Sequence, residues 1–501
     1  MTSFTNPNPF SIIKPIAFAA AMLTASSVAE SDPSAWNGGT SYLAGQVTSL
    51  AVTQKCYLCL APNINARPDL NVDGNNPAWQ ESLTEALAWS SSATYIKGAR
   101  ARLSSTHKVY EAQSNHSSTL GGTATVTLTA GAPAVVNWSG HGLPTDAAVT
   151  LTTTGVLLVG LTAGVTYYVS APATNSFSLA ATQGGAAISA TGTATGTTTA
   201  TAPSTQPDVN SGTGQLWIEI GSTNEFAAFD DKWGTQTVSG TVLSAWNSGT
   251  AYNYADICSE GGRIYKCLIA NTNADPASNL TGATPKWMDV GAASTYFISM
   301  ELTPGAVINS VALLNMLGSS VNISSTLNGQ PIYSKTTPLE TDIGVYDWYT
   351  YFLAPIVAEE DIVGTDLLPY YQQVVTVTLT GPSQVAIGNI SMGANIVLGN
   401  LNWSPTVGII DFSTKSTDDF GYITVVERPF SKRFGGKIEV DTSFVDQLSS
   451  MLAQIRATPV VWIGAGNQFS SLIVLGFFKD FEVDITYPNI SYCTINVEGL
   501  V

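Results

Sequence analysis

Trp246-Asn247-Ser248-Gly249-Thr250-Ala251-Tyr252, then Arg263-Ile264-Tyr265-Lys266-Cys267, then Trp287: this stretch is the third copy of one pattern, and its reading decides how the chain divides. The pattern is Trp, Tyr six positions on, a basic–apolar–Tyr triplet and a closing Trp. The first copy is Trp36, Tyr42, Lys55-Cys56-Tyr57 and Trp79. The second begins with Trp89, Tyr95 and Lys108-Val109-Tyr110. In copies one and three the last Tyr and the closing Trp are equally spaced (79 − 57 and 287 − 265 are both 22). Copy two has no Trp at that distance. Its next suitable closer is Trp217, too far along by 85 residues (217 − 110 is 107, against 22). A Thr/Ala/Gly-rich block from about Thr119 to Pro203 has that length, so a small domain is expected to be spliced into module two.

The chain has 501 residues, too many for one core, and three or more domains are expected. Val/Ile/Thr runs recur between Gly, Pro and Asn turns, which predicts a mainly β, multidomain protein. Alternation in Val311-Ala312-Leu313-Leu314-Asn315 and in Val374 to Leu379 suits a β-sandwich with one buried face per sheet. The boundaries read from these changes are an arm at 1–35, module one at 36–80, and module two at 81–221 interrupted by the β insert at 119–205. A sandwich scaffold follows at 222–400, interrupted by module three at 240–291, and then a C-terminal α+β domain at 401–501. Residues 81–87 read as a linker, with room for one helical turn.

Within the last domain, Phe444, Val445, Leu448, Leu452 and Ile455 recur at helical spacing. Ser443 and Asp446 resemble a capping box, and Pro459 enforces the stop, so a helix is predicted over 443–457. At the other end, Ile12 to Leu23 has the apolar character of a signal-peptide core, but no basic residue precedes it and Pro15 lies early in the run. A strand followed by a short helical turn is the preferred reading.

A net charge of −17 with only 11% charged residues argues against nucleic-acid binding, which needs basic stripes along the phosphates. No apolar run approaches the ~20 residues of a membrane-spanning helix. Cys56-x-x-Cys59 has no second pair or nearby His to complete a zinc site. Cys59 and Cys267 stand where copy two has Ala112, which reads as a small buried position. Cys258 and Cys267 could pair across a hairpin, but the odd total of five cysteines favours free thiols. The three histidines, His107, His116 and His141, assemble no nucleophilic triad. Asp230, Asp231, Asp418 and Asp419 are paired acids, a pattern more often solvated in turns than catalytic. No loop has phosphate-binding or Ca²⁺-binding spacing, so no cofactor and no metal are expected.

The small modules resemble carbohydrate-binding modules of the chitin-binding type, which read Trp, Tyr, Gly, apolar strand, Tyr and closing Trp. Module three follows the pattern most closely; module two is split, and module one has Gln54-Lys55-Cys56 where a Gly-rich hairpin is usual. The insert, with His141-Gly142-Leu143-Pro144 and Tyr167-Tyr168-Val169, resembles a small β domain common in bacteriophage tail proteins. The remainder is similar to phage tail-tip or baseplate proteins, with a middle region similar to galactose-binding-like jelly rolls. Its carriers are Phe229 to Thr235, Val311 to Asn315, Asp347-Trp348-Tyr349, and the ending from Lys479-Asp480-Phe481 through Tyr487-Pro488 to Val497-Glu498-Gly499-Leu500.

The resemblance implies a structural virion component at a phage tail tip, assembled in the host cytoplasm, that is not itself an enzyme. Its implied partners are other tail or baseplate proteins, further copies of itself in a trimer or hexamer, and a host cell-surface glycan. Sugar rings stack their C–H faces on aromatic π faces. The candidates are Trp246, Tyr252, Tyr265 and Trp287, with Trp36, Tyr42, Trp79, Trp89, Tyr95 and Trp217 behind them. In a domain of about fifty residues a repeated Trp can equally be the core itself. Two other readings stay open: a glycan-degrading tail enzyme with accessory modules, and a purely architectural protein.

Overall fold

Phe10, Ile12 and Ile13 are apolar on both faces of one strand, Pro9–Pro15, and the fold uses both faces. Phe10 and Ile12 enter one hydrophobic core, and Ile13 enters another. A strand of that kind belongs in the middle of a sheet. It pairs antiparallel with Val385–Leu401 on one side and with Val460–Gly464 on the other. Within the expected N-terminal arm, Pro9–Pro15 is therefore a central strand of the scaffold. The 3₁₀ turn Ala20–Met22 follows, and then strand Leu23–Ser26, which pairs with Tyr296–Leu302.

The computed structural model describes residues 9–28, 30–73, 77–230, 237–239, 244–292, 296–339, 347–348, 358–381, 385–417, 423–426, 428, 430–465 and 469–500. Asp231 to Thr235, Tyr349, Asp418 and Asp419 lie outside them. The fold is mainly β, in many antiparallel sheets across several bodies, with an α-helix, Val445–Gln454, near the C-terminus. Two compact units are present: residues 1–29 with 224–501, and residues 30–223.

In the first unit a ten-stranded sheet and a five-stranded sheet face one another. Ile298, Met300, Val321, Ile323, Val375 and Val377 from the smaller sheet meet Val311, Leu313, Val385, Ile387 and Met392 from the larger. Thr237–Ser239 adds to the larger sheet beside Val385–Leu401. That seventeen-residue strand continues until Asn400 and Leu401 pair with Glu439 and Ile438. The sheet thus passes through the expected boundary at 400 without a break. Residues 401–501 supply further strands and a second core, in which Leu448 and Leu452 of the helix meet Trp462, Ile495 and Val497. Asp441 caps the 3₁₀ turn Thr442–Phe444 that leads into the helix, its carboxylate accepting from Ser443 N at 2.8 Å. Phe444, not Ser443 as the spacing predicts, stands at the helix N-cap without a side-chain bond. Ala457, at φ 58°, ends the turn before Pro459.

In the second unit, strands between Gly122 and Ala202 close into a six-stranded barrel around Val136, Leu151, Tyr167, Val169, Phe177 and Leu179. Thr119 and Thr205 clasp its neck: Thr119 N donates to Thr205 Oγ1 at 2.7 Å, and Thr205 N donates to Thr119 O at 3.0 Å. Gly121 is needed there, because at φ 72° a Cβ would stand 2.5 Å from Ala202 O. Outside the neck, Lys108–Ala112 pairs with Trp217–Ser222, so the module closes across its guest. Leu83 and Thr84 form a bend, and residues 82–86 hold no helical turn.

Candidate functional site

The three modules repeat one geometry. Trp79 stands opposite Cys59, Trp217 opposite Ala112, and Trp287 opposite Cys267, each on an antiparallel pair. Each closing indole Nε1 donates to a loop carbonyl at 2.8 Å: Ala66, Thr205 and Ala274. Each is met edge-on by the first Tyr, with centroids 5.1, 4.9 and 5.1 Å apart for Tyr42, Tyr95 and Tyr252. The hydroxyls of those tyrosines accept from Asn37 N, Ser90 N and Asn247 N at 2.8, 2.9 and 2.8 Å.

This geometry decides most of the predicted sugar contacts. Tyr42, Trp79, Tyr95, Trp217, Tyr252, Tyr265 and Trp287 are buried in the module cores, and a buried ring has no free face for a pyranose. They are structural residues. Trp36, Trp89 and Trp246, the first aromatics of each copy, are half-buried against the same cores.

Two further regularities were not read from the sequence. The basic residue opening each triplet reaches an acid two positions beyond the closing Trp: Lys55 to Glu81, Lys108 to Glu219 and Arg263 to Asp289, at 3.0, 3.1 and 2.7 Å. In copies one and three an Asn side chain donates to the buried thiol at 3.2 Å, Asn63 to Cys59 and Asn271 to Cys267. Copy two has Ala112 and His116 at those positions, and the His116 ring lies 5.0 Å from Trp217, edge to face. Burial lowers the His116 pKa, so the imidazole is held neutral. All five cysteines are free and buried. His141 braces a barrel turn, accepting from Leu143 N at 2.9 Å and packing edge-on to Phe177.

Among the described residues, module three adds a further site. A cavity of about 410 Å³ opens where it meets the scaffold of its own unit, with Ile257 and Phe297 as well as Ser26, Ser27, Tyr254, Asp256, Lys266, Ser299 and Glu301 in its lining. Lys266 and Glu301 are only 2% and 3% exposed and form an ion pair. The Lys266 ammonium also donates to Thr376 Oγ1 at 3.0 Å. Glu301 Oε1 accepts from Tyr254 OH at 2.8 Å and from Thr24 Oγ1 at 2.9 Å. Burial pulls the Lys266 pKa down, opposed by the Glu301 carboxylate. The Tyr254 phenol is pushed up by burial and by the same carboxylate, so it stays protonated. Tyr254 keeps 49% of its surface exposed. A half-exposed ring, with the Lys266 ammonium 5.9 Å from its centroid, thus shares one concavity with hydroxyls and carboxylates. The signal available in the sequence was the mismatch between copies: Tyr254 replaces Ala44 and Lys97, and Lys266 replaces Leu58 and Glu111.

No protein-family model and no curated protein matches the chain. Among solved structures it is similar to the phage phi92 endosialidase, at 11% identity, covering 85% of this chain and 75% of that one, with a TM-score of 0.18. A likeness of that size supports no argument about function.

Proposed function

We propose that this chain is a structural protein of a phage tail whose third module binds host-surface carbohydrate through the Tyr254 cavity. The observation that carries the binding is this cavity, with a half-exposed aromatic ring over acids and hydroxyls. The ring offers a π face to axial C–H groups, and Asp256, Ser26 and Ser27 offer acceptors and donors to sugar hydroxyls. The tail assignment rests on the sequence resemblance carried by the insert and by the C-terminal segments. Neighbouring tail proteins and further copies of the chain are its proposed partners, and weak single contacts would multiply across a ring of copies.

The test is calorimetric titration of the full chain with fragments of host envelope polysaccharide. Binding weakened at least tenfold by Tyr254→Ala, and unaffected by Val156→Ala on the barrel, supports the reading. Titration without heat for every host fraction, or binding indifferent to Tyr254→Ala, overturns it. Antibody labelling of assembled virions under the electron microscope tests the location separately.

A second reading is favoured by one feature: Asp256 and Glu301 face the same cavity, and two carboxylates about a sugar are what glycoside hydrolysis requires. Reducing ends released from the polysaccharide by the parent chain, and not by Asp256→Asn or Glu301→Gln, would replace binding with cleavage. Against it, Glu301 is committed to Lys266, Tyr254 and Thr24.

A further inference from the structure

We infer that the strand Thr406–Asp411 is an interface with a second copy of this chain, paired antiparallel about a two-fold axis at Gly408. The strand is the last of the ten-stranded sheet. Among the described residues it pairs only with Phe430–Asp441, so its outer row of N–H and C=O groups is open. The edge strand Gln330–Pro338 of the smaller sheet is guarded by Pro331, Lys335 and Pro338, which obstruct pairing with another chain. Thr406–Asp411 reads Thr-Val-Gly-Ile-Ile-Asp, with no Pro or Lys within it and its one charge at the end.

Val407 and Ile409 are 54% and 58% exposed. Val407 stands opposite Phe434, a core residue, so these side chains prolong the core face of the sheet, and among the described residues about half of each stays uncovered. Beyond them the chain continues as a two-stranded arm, Thr414–Thr417 with Ile423–Val426, in which Val425 and Val426 are exposed. An isolated hairpin is marginal in water without something to pack against.

The strand's own order of residues identifies the partner. Of the antiparallel self-pairings that keep the core faces together, the one with Gly408 opposite Gly408 of the second copy gives both Val407 and Ile409 an apolar β-branched partner. An axis at Val407 sets Ile409 against Pro405 instead, and an axis at Ile409 sets Val407 against Asp411. The Gly408 axis is therefore the favoured register. Val407 then meets Ile409 of that copy, and Ile409 meets its Val407. Both cross-strand pairs on the core face are β-branched and apolar, the favoured kind, and glycine at the axis lets the backbones approach. The contact is isologous, the commonest kind in homo-oligomers. A ring of three or six copies would need a second, heterologous contact beside it. Sugar binding is not involved, so failure of one proposal leaves the other standing.

Sedimentation equilibrium of the full chain over a range of concentration tests the inference. The parent chain is expected to associate to a dimer or a multiple of it. Ile409→Lys is expected to weaken association at least tenfold with unchanged circular dichroism, while Val156→Lys on the barrel leaves it intact. Gly408→Cys is expected to form a covalent dimer on mild oxidation, against no background from the buried native thiols. A parent chain that stays monomeric at the highest concentration overturns the inference. So does association that survives Ile409→Lys while Gly408→Cys fails to cross-link.

Discussion

Trp217 receives the ring of Tyr95 on its indole, with centroids 4.9 Å apart and planes inclined at 71°, although the whole barrel separates them along the chain. The contact matches Tyr42 on Trp79 and Tyr252 on Trp287 to within a few tenths of an ångström. Insertion of the barrel has left the host module's core undisturbed, because the Thr119–Thr205 clasp brings the two cut ends back together.

Trp217→Ala should therefore cost module two about 3–5 kcal/mol, the usual loss for a fully buried large side chain. Hydrogen exchange by mass spectrometry should show faster exchange in Arg100–Leu103 and Lys108–Ala112, with Thr166–Ala173 of the barrel still protected. Equal loss of protection in the barrel would mean that host and guest fold as one.

Ala112 and His116 replace the thiol and amide that copies one and three place beneath the closing Trp. Ala112→Cys overfills that space, and His116→Asn leaves part of it empty. Each single change should destabilise by about 1–3 kcal/mol. The double change, which recreates the Cys59–Asn63 arrangement, should recover at least half of the summed loss in a urea-unfolding cycle. Simple additivity would show that the two positions do not share one volume.

Lys266 and Glu301 are buried together, so removing one leaves the other charged without its partner. Lys266→Met or Glu301→Gln alone should destabilise the unit by about 3–5 kcal/mol, whereas Lys266→Met with Glu301→Leu should recover most of that loss. Chemical denaturation of the three variants at pH 7 measures this. Equal losses for single and double variants would show that the cavity tolerates an unpaired charge.

Two carboxyls of the second unit give its stability opposite dependences on pH. Glu85 is raised from 4.5 to about 7 by burial, opposed by Arg102 and assisted by the Glu30 carboxylate. The folded state keeps a proton that the unfolded chain has released, so stability falls as pH rises from 4.5 to about 7. Glu30 is moved the opposite way, to about 2; burial pushes it up, but hydrogen bonds from His107, Ser104 and Thr223 outweigh that. Its contribution is present above 4.5 and is lost as pH falls towards 2. Glu85→Gln should flatten the neutral limb of a melting-temperature profile, and Glu30→Gln the acid limb. A difference between parent and Glu85→Gln profiles that does not change between pH 5 and 7 would contradict the Glu85 assignment.

The module count, the long jump from Tyr110 to Trp217 and the helix near residue 450 were legible in the sequence, because each rests on local spacing. A domain of about fifty residues has room for one large aromatic cluster, so equal spacing of Trp and Tyr leaves few other ways to fill it. The same economy explains why the sugar-contact reading failed for seven residues: the rings that recur are the ones the core consumes. Spacing alone does not say which face of a ring meets water.

Three features were decided only by tertiary structure. Residues 9–15 read as part of an N-terminal arm until two distant strands arrive on either side of them. The break expected at residue 400 disappears because one long strand serves two cores. Lys266 and Glu301, ordinary charges in the sequence, become an ion pair only once module three is seated on its scaffold. The sequence by itself determines what neighbours along the chain must do. Which strands pair, which charges are buried together and which edge is left open depend on contacts between distant residues, whose loop-closure cost and burial no local pattern records.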